Sequence, residues 1–144
     1  ADSATVVALS ALQEARERAI SERRNVQVNF VLPNRIRAER VEVPGPDLTL
    51  LSQVELEGLQ TFRLVTGVPD TPDAFGRSNA VHFTGKLPVM FTSDGSLIDA
   101  DGDVVNGSIF LAGTGTGDSV RAITILGVTG LMRTWKWTGT QWQE

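Results

Sequence analysis

The chain has 144 residues, 41% of them hydrophobic and 21% charged, enough to bury one sizeable core and too few for two, so one domain is expected. Thirteen Lys and Arg against 17 Asp and Glu leave a net charge of −4; this excludes a global electrostatic drive onto nucleic acid or anionic lipid, so any such contact must be local. Zero cysteines and a single histidine, His82, exclude a disulfide framework, a thiolate nucleophile, Cys-based zinc and every mechanism that needs two imidazoles.

No window approaches the roughly 18 apolar residues of a membrane span. The chain opens Ala1-Asp2-Ser3 without a basic or apolar leader, so any targeting segment is expected to be processed away or to lie outside the sequence. Charge is uneven. Residues 1–40 hold seven Arg and five acidic residues, a net +2, and the remainder carries −6.

Residues 4–24 are predicted to form an amphipathic helix, because Val7, Ala8, Ala11, Leu12, Ala15, Ala19 and Ile20 recur at steps of three and four. Asp2 or Ser3 can cap its start, Glu14 and Arg18 form an i, i+4 pair, and Arg23 and Arg24 suit the C-terminal end of its dipole. After Asn25 the period changes to two, with Val26, Val28, Phe30 and Leu32 on one face, and Pro33-Asn34 ends this strand. A second strand is expected over 36–43. Residues 48–56 read as a strand or a short turn-helix, and 59–66 resume strand character.

Residues 67–79, with Pro69, Asp70, Pro72, Asp73 and Gly76, read as an exposed, mobile loop. Short strands are then expected over 80–84, 88–92, 95–99, 107–112, 120–127 and 131–138, with turns at Asp94-Gly95, Asp101-Gly102 and Thr138-Gly139. The resulting class is α+β, one long N-terminal helix covering part of an antiparallel β domain.

Four groupings could carry chemistry. Asp99, Asp101 and Asp103 place oxygens at the alternate spacing of a calcium loop, although Val104 and Phe110 stand where an EF-hand needs glycine and glutamate. Turn chemistry at an acidic hairpin tip is the competing reading. His82, Ser108, Ser119 and the aspartates supply the residue types of a hydrolase triad, but no Gly-x-Ser-x-Gly elbow is present. His82 is expected to be a half-exposed strand residue. The run from Gly113 to Gly117 lacks the Lys-Ser/Thr of a phosphate loop and reads as a hairpin connection. Finally Arg133, Trp135 and Trp137 share one strand face, with Trp142 nearby, and are expected to pack against the helix rather than to stack on a ligand.

The segment Leu12-Gln-Glu-Ala-Arg-Glu-Arg-Ala-Ile-Ser-Glu-Arg-Arg-Asn-Val-Gln-Val28, with its Ala-Arg-x-x-Ala-Ile core, basic turn and alternating strand, resembles the helix-to-strand join of the GspH/FimT family of type IV pilin-like proteins. Val89-Met-Phe-Thr-Ser-Asp-Gly-Ser96 and Gly130-Leu-Met-Arg-Thr-Trp-Lys-Trp-Thr-Gly139 resemble that family's C-terminal half. The resemblance implies a pilin-like fold with two small sheets. It also implies a prepilin whose leader and apolar half-helix, absent here, anchor it in the inner membrane, with this part in the periplasm. The implied role is structural and non-enzymatic, without a cofactor. The chain would be a minor pilin or pseudopilin that joins other pilins or pseudopilins in a tip complex priming a type IV pilus or the type II secretion pseudopilus. Ala8, Ala11, Ala15 and Ala19 would divide between the chain's own sheet and neighbouring subunits. A branch of the family binds DNA for natural transformation through arginines after a glycine. Arg133 stands in that stretch with Arg121 and Lys136 as supplements, while leucine directly follows Gly130.

Overall fold

Helix α1, Asp2–Glu22, is the longest element of the computed structural model, which describes residues 2–56, 58–113 and 120–144. Alanine at five of its buried positions gives high helix propensity and lets the backbone lie close to what it covers. Arg23 ends it with φ at 53°, the left-handed turn common just past a helix C-terminus. The helix thus begins and ends two residues earlier than its periodicity predicts. Asp2 lies inside it, and Arg23 and Arg24 lie beyond it.

Among the described residues two antiparallel sheets follow. The first contains β1 (Val26–Val31), β2 (Arg35–Val41), β3 (Leu48–Glu55), β6 (Val89–Phe91) and β7 (Leu97–Ile98), in the order β3-β2-β1-β6-β7. The second contains β4 (Thr61–Phe62), β5 (Val81–Phe83), β8 (Gly107–Ala112), β9 (Arg121–Leu126), β10 (Leu131–Trp137) and β11 (Trp142–Gln143). Its order is β11-β10-β9-β8-β4, with β5 also paired to β8.

Helix α1 touches β1, β2, β3 and β6 of the first sheet and β9 and β10 of the second. Its alanines and Leu12 share one core cluster with Val26, Val28, Val89, Phe91 and Leu97 of the first sheet and with Ile109, Leu111, Ile123 and Ile125 of the second. Full burial of one such large side chain contributes about 1.5–3 kcal/mol. Strand β7 is also tied to the segments that flank β8 and β9. Leu97 N–H donates to the carbonyl of Gly127 at 2.8 Å, and Val105 N–H donates to the carbonyl of Leu97 at 3.1 Å.

Residues 48–56 resolve to a strand over Leu48–Glu55, whereas the strand expected over 59–66 shrinks to Thr61–Phe62. The short β11 lies in the C-terminal region left unassigned by periodicity. Segment 67–79 has no regular structure but is strapped to the second sheet instead of standing clear. Val68 and Thr71 are buried, Asp73 reaches Thr124, and the indole Nε1 of Trp142 donates to the carbonyl of Pro69 at 3.0 Å. Strands β8 and β9 are buried on both faces: on the side away from the helix, Val68 of the strap packs with Ala112 and Val120, while Leu64, Trp135 and Trp142 cover Phe110 and Ala122.

Candidate functional site

Ala8, Ala11, Ala15 and Ala19 are 0–5% exposed, all turned into the chain's own core. Within the chain the two sheets under the helix cover all four alanines, whereas Val6 and Ile20 of the same helix stay exposed. The surface the helix presents outward is Val6, Ser10, Gln13, Glu17 and Ile20.

Of the three candidate DNA cations, the fold brings Arg121 and Lys136 together and sets Arg133 apart. Arg121 lies opposite Lys136 on the helix-facing side of the second sheet, and Arg133 lies opposite Thr124 on the other side. Arg121 is 8% exposed and donates from Nε to Asp2 Oδ1 at 3.0 Å, with Nη2 2.9 Å from the same oxygen. That guanidinium holds the Asp2 carboxyl below its ordinary value, chiefly by hydrogen bonding. Arg133 donates to Asp73 Oδ1 at 3.2 Å and lies 3.9 Å from Glu144. Lys136 shares a small recess with Asp2 and Glu144. A strand alternates its side chains, so odd and even positions of β10 cannot converge on one phosphate track.

The acidic turn serves the fold. Asp99 is 4% exposed, and its Oδ1 accepts N–H bonds from Asp101 and Asp103 at 3.0 Å each while Oδ2 accepts from Lys86 N–H at 3.1 Å. The Lys86 bond is the largest influence holding its carboxyl below the ordinary value, against the opposing effect of burial. Asp101 faces Lys86 Nζ at 3.6 Å. Among the described residues no three His, Cys, Asp or Glu side chains converge to hold a metal ion. Asp99, the first of the three, thus closes an Asx turn in which its carboxylate accepts three backbone N–H bonds.

His82 and Ser108 are direct cross-strand neighbours on β5 and β8. Ser108 has no exposed surface and its Oγ has no partner among the described residues, whereas His82 Nδ1 is bonded to Ser78 Oγ at 2.8 Å. The two side chains are therefore not hydrogen-bonded to each other. Ser119 and Thr114–Gly117 of the glycine-rich connection lie outside the described residues.

The tryptophan face is packed, but on the side away from the helix. Trp135 Nε1 donates to Thr124 Oγ1 at 3.0 Å, and Trp135 clusters with Phe110 and Ala122. Trp137 and Trp142 meet edge to face with centroids 5.4 Å apart. Helix-facing positions of β10 instead carry Met132, which packs on the main core.

Periodicity holds no sign of a groove of about 700 Å³ between the sheets. Val28, Phe30 and Val81 line it, Gln27, Asn29 and Asn79 add carboxamides, and none of its lining residues is ionisable. At its lips Leu32 is 66% and Leu87 64% exposed. Phe30, partly buried, contacts Phe62 and Phe83 at centroid distances of 5.6 and 5.7 Å.

No protein-family model and no curated protein matches the chain. Solved structures do. The type IV minor pilin FimU of Pseudomonas aeruginosa aligns in one crystal form with a TM-score of 0.60 at 16% identity, over 93% of this chain and 91% of that one. In a second crystal form the TM-score is 0.61 at 15% identity, over 99% and 92%. The minor pseudopilin EpsH of the Vibrio cholerae type 2 secretion system aligns with a TM-score of 0.59 at 14% identity, over 93% and 97%. At such identities the likeness establishes the fold: one N-terminal helix on antiparallel sheets, α+β and pilin-like.

Proposed function

We propose that this chain is a minor subunit of a type IV pilus or of a type II secretion pseudopilus. In this reading it is a structural, non-enzymatic part that joins other minor and major pilins or pseudopilins in a complex at the filament tip and primes assembly. The observation that carries the reading is the extent of the likeness, which takes in nearly all of this chain and more than nine-tenths of the FimU and EpsH structures. Among the described residues no helix is long and apolar enough to cross a membrane. The inner-membrane anchor, with the leader and N-terminal methylation of a prepilin, would belong to a segment outside this sequence, and the described part would face the periplasm. Neighbouring subunits would then meet the outer helix stripe, where Val6 is 61% and Ile20 40% exposed, and not the buried alanines.

DNA capture is the alternative, and the geometry lends it less support, since Arg121 and Arg133 occupy opposite faces and each already holds a carboxylate. The deciding experiment deletes the gene in its native host and restores it as wild type or with Val6→Glu and Ile20→Glu combined. Loss of surface filaments or of secretion on deletion, restored by wild type and poorly by the variant, is the expected result. Intact filaments and secretion after deletion would overturn the reading.

A further inference from the structure

We propose that the groove between β1 and β5 receives an extended, uncharged peptide segment of a partner protein, added as a strand to the open edge of β1. This site stands on the groove's own geometry, whichever machine the chain serves.

Strand β1 pairs with β2 over its whole length, Val26–Val31, but with β6 over its first half alone. The ladder with β6 consists of Val26↔Phe91, Gln27↔Met90 and Val28↔Val89. The next residue of β6 in that direction would be Pro88, which has no N–H to donate, so the ladder stops there. Residues 29–31 are left with one strand neighbour among the described residues. Across the groove β5 pairs only with β8 among the described strands, so its other edge is open too. Open strand edges present backbone donors and acceptors in register, which is what an added strand uses.

The lining states the chemistry of the occupant. Val28 and Phe30 turn toward the core side of β1, while Gln27 and Asn29 alternate to its outer side, so an added strand needs apolar residues facing in and uncharged polar residues facing out. The carboxamides already form a short chain: Gln27 Nε2 donates to Asn29 Oδ1 at 3.4 Å, and Asn29 Nδ2 donates to Glu39 Oε1 at 2.9 Å. No ionisable side chain lines the groove, so a charged segment would lose solvation there without gaining a partner. Exposed Leu32 and Leu87 would close over the bound segment.

The test uses the blocked peptide acetyl-Val-Thr-Val-Thr-Val-amide, titrated to millimolar concentration into isotope-labelled protein and followed by amide chemical shifts. Saturable shifts confined to residues 29–32 and 79–83 are expected. Replacing both peptide threonines by glutamate, or introducing Leu87→Lys or Asn79→Asp at the exposed rim, should weaken binding by about tenfold. Val43→Lys, on a distant exposed turn, should leave it unchanged. Four results would each overturn the proposal: no shifts at millimolar peptide, shifts mapping elsewhere, undiminished binding of the glutamate peptide, or undiminished binding by both rim variants. Two rim variants are used so that a folding defect in one leaves the outcome decided by the other.

Discussion

Arg16 and Gly95 are joined across 79 residues of sequence, the guanidinium Nε donating to the glycine carbonyl oxygen at 3.0 Å. The same side chain donates from Nη2 to the carbonyl of Thr129 at 2.9 Å. One helix residue thus holds the β6–β7 turn of the first sheet and the β9–β10 turn of the second. Gly95 and Gly130 both have positive φ, at 88° and 75°, and a Cβ at either would run into the Arg16 side chain.

Arg16→Ala is therefore expected to destabilise the fold by about 1–2 kcal/mol, and Gly130→Ala by about 2–3 kcal/mol through strain and overlap. Because both changes disturb one contact, the double variant should lose less than the sum. Urea titrations of the three proteins measure this.

Asp73 anchors the strap by accepting from Thr124 Oγ1 at 2.7 Å with one oxygen and from Arg133 Nη1 at 3.2 Å with the other. Asp73→Ala should cost about 1–3 kcal/mol, since it leaves the hydroxyl proton of buried Thr124 without this acceptor, while the more exposed Arg133→Ala should cost less than about 1 kcal/mol. Trp135 donates to the same Thr124 hydroxyl, so its fluorescence should shift in the first variant.

Asp94 accepts from the hydroxyls of Thr92 and Ser96, which lower its pKa from 3.8 to about 2. A carboxyl depressed in the folded state stabilises the fold above its unfolded value and loses that contribution as pH falls through the folded one. Wild type should accordingly exceed Asp94→Ala in stability at neutral pH, and the gap should close between about pH 4 and pH 2. Denaturant midpoints taken across that range provide the check.

Millimolar calcium is expected to leave the thermal midpoint where it is, because the Asp99 oxygens already receive three N–H bonds. A rise in the midpoint on adding calcium would reveal a native-state site.

The elements with strong local periodicity were legible in sequence: α1 from its alanine spacing, β1 from its period of two, and β8 with the same bounds in expectation and structure. Features set by distant partners were not. Val68 is one apolar residue among Pro, Asp and Gly, so its burial between the strap and the second sheet has no local signature. Alternation puts Arg133, Trp135 and Trp137 on one face, but which side the helix covers depends on how the sheet closes, and this face packs away from the helix. Of the candidate site, the groove between β1 and β5 was invisible because it arises where Pro88 stops one ladder beside a strand from another sheet.

Leu97 gives its N–H to Gly127 and its carbonyl to Val105, tying β7 to the segments that flank β8 and β9. In mechanical terms this is a weld between the first sheet and the flanks of the second. A pull on α1 is carried through Arg16 into hairpin turns of both sheets at once, and neither sheet can be peeled away without opening these hydrogen bonds. A force applied to α1 would therefore reach both sheets together.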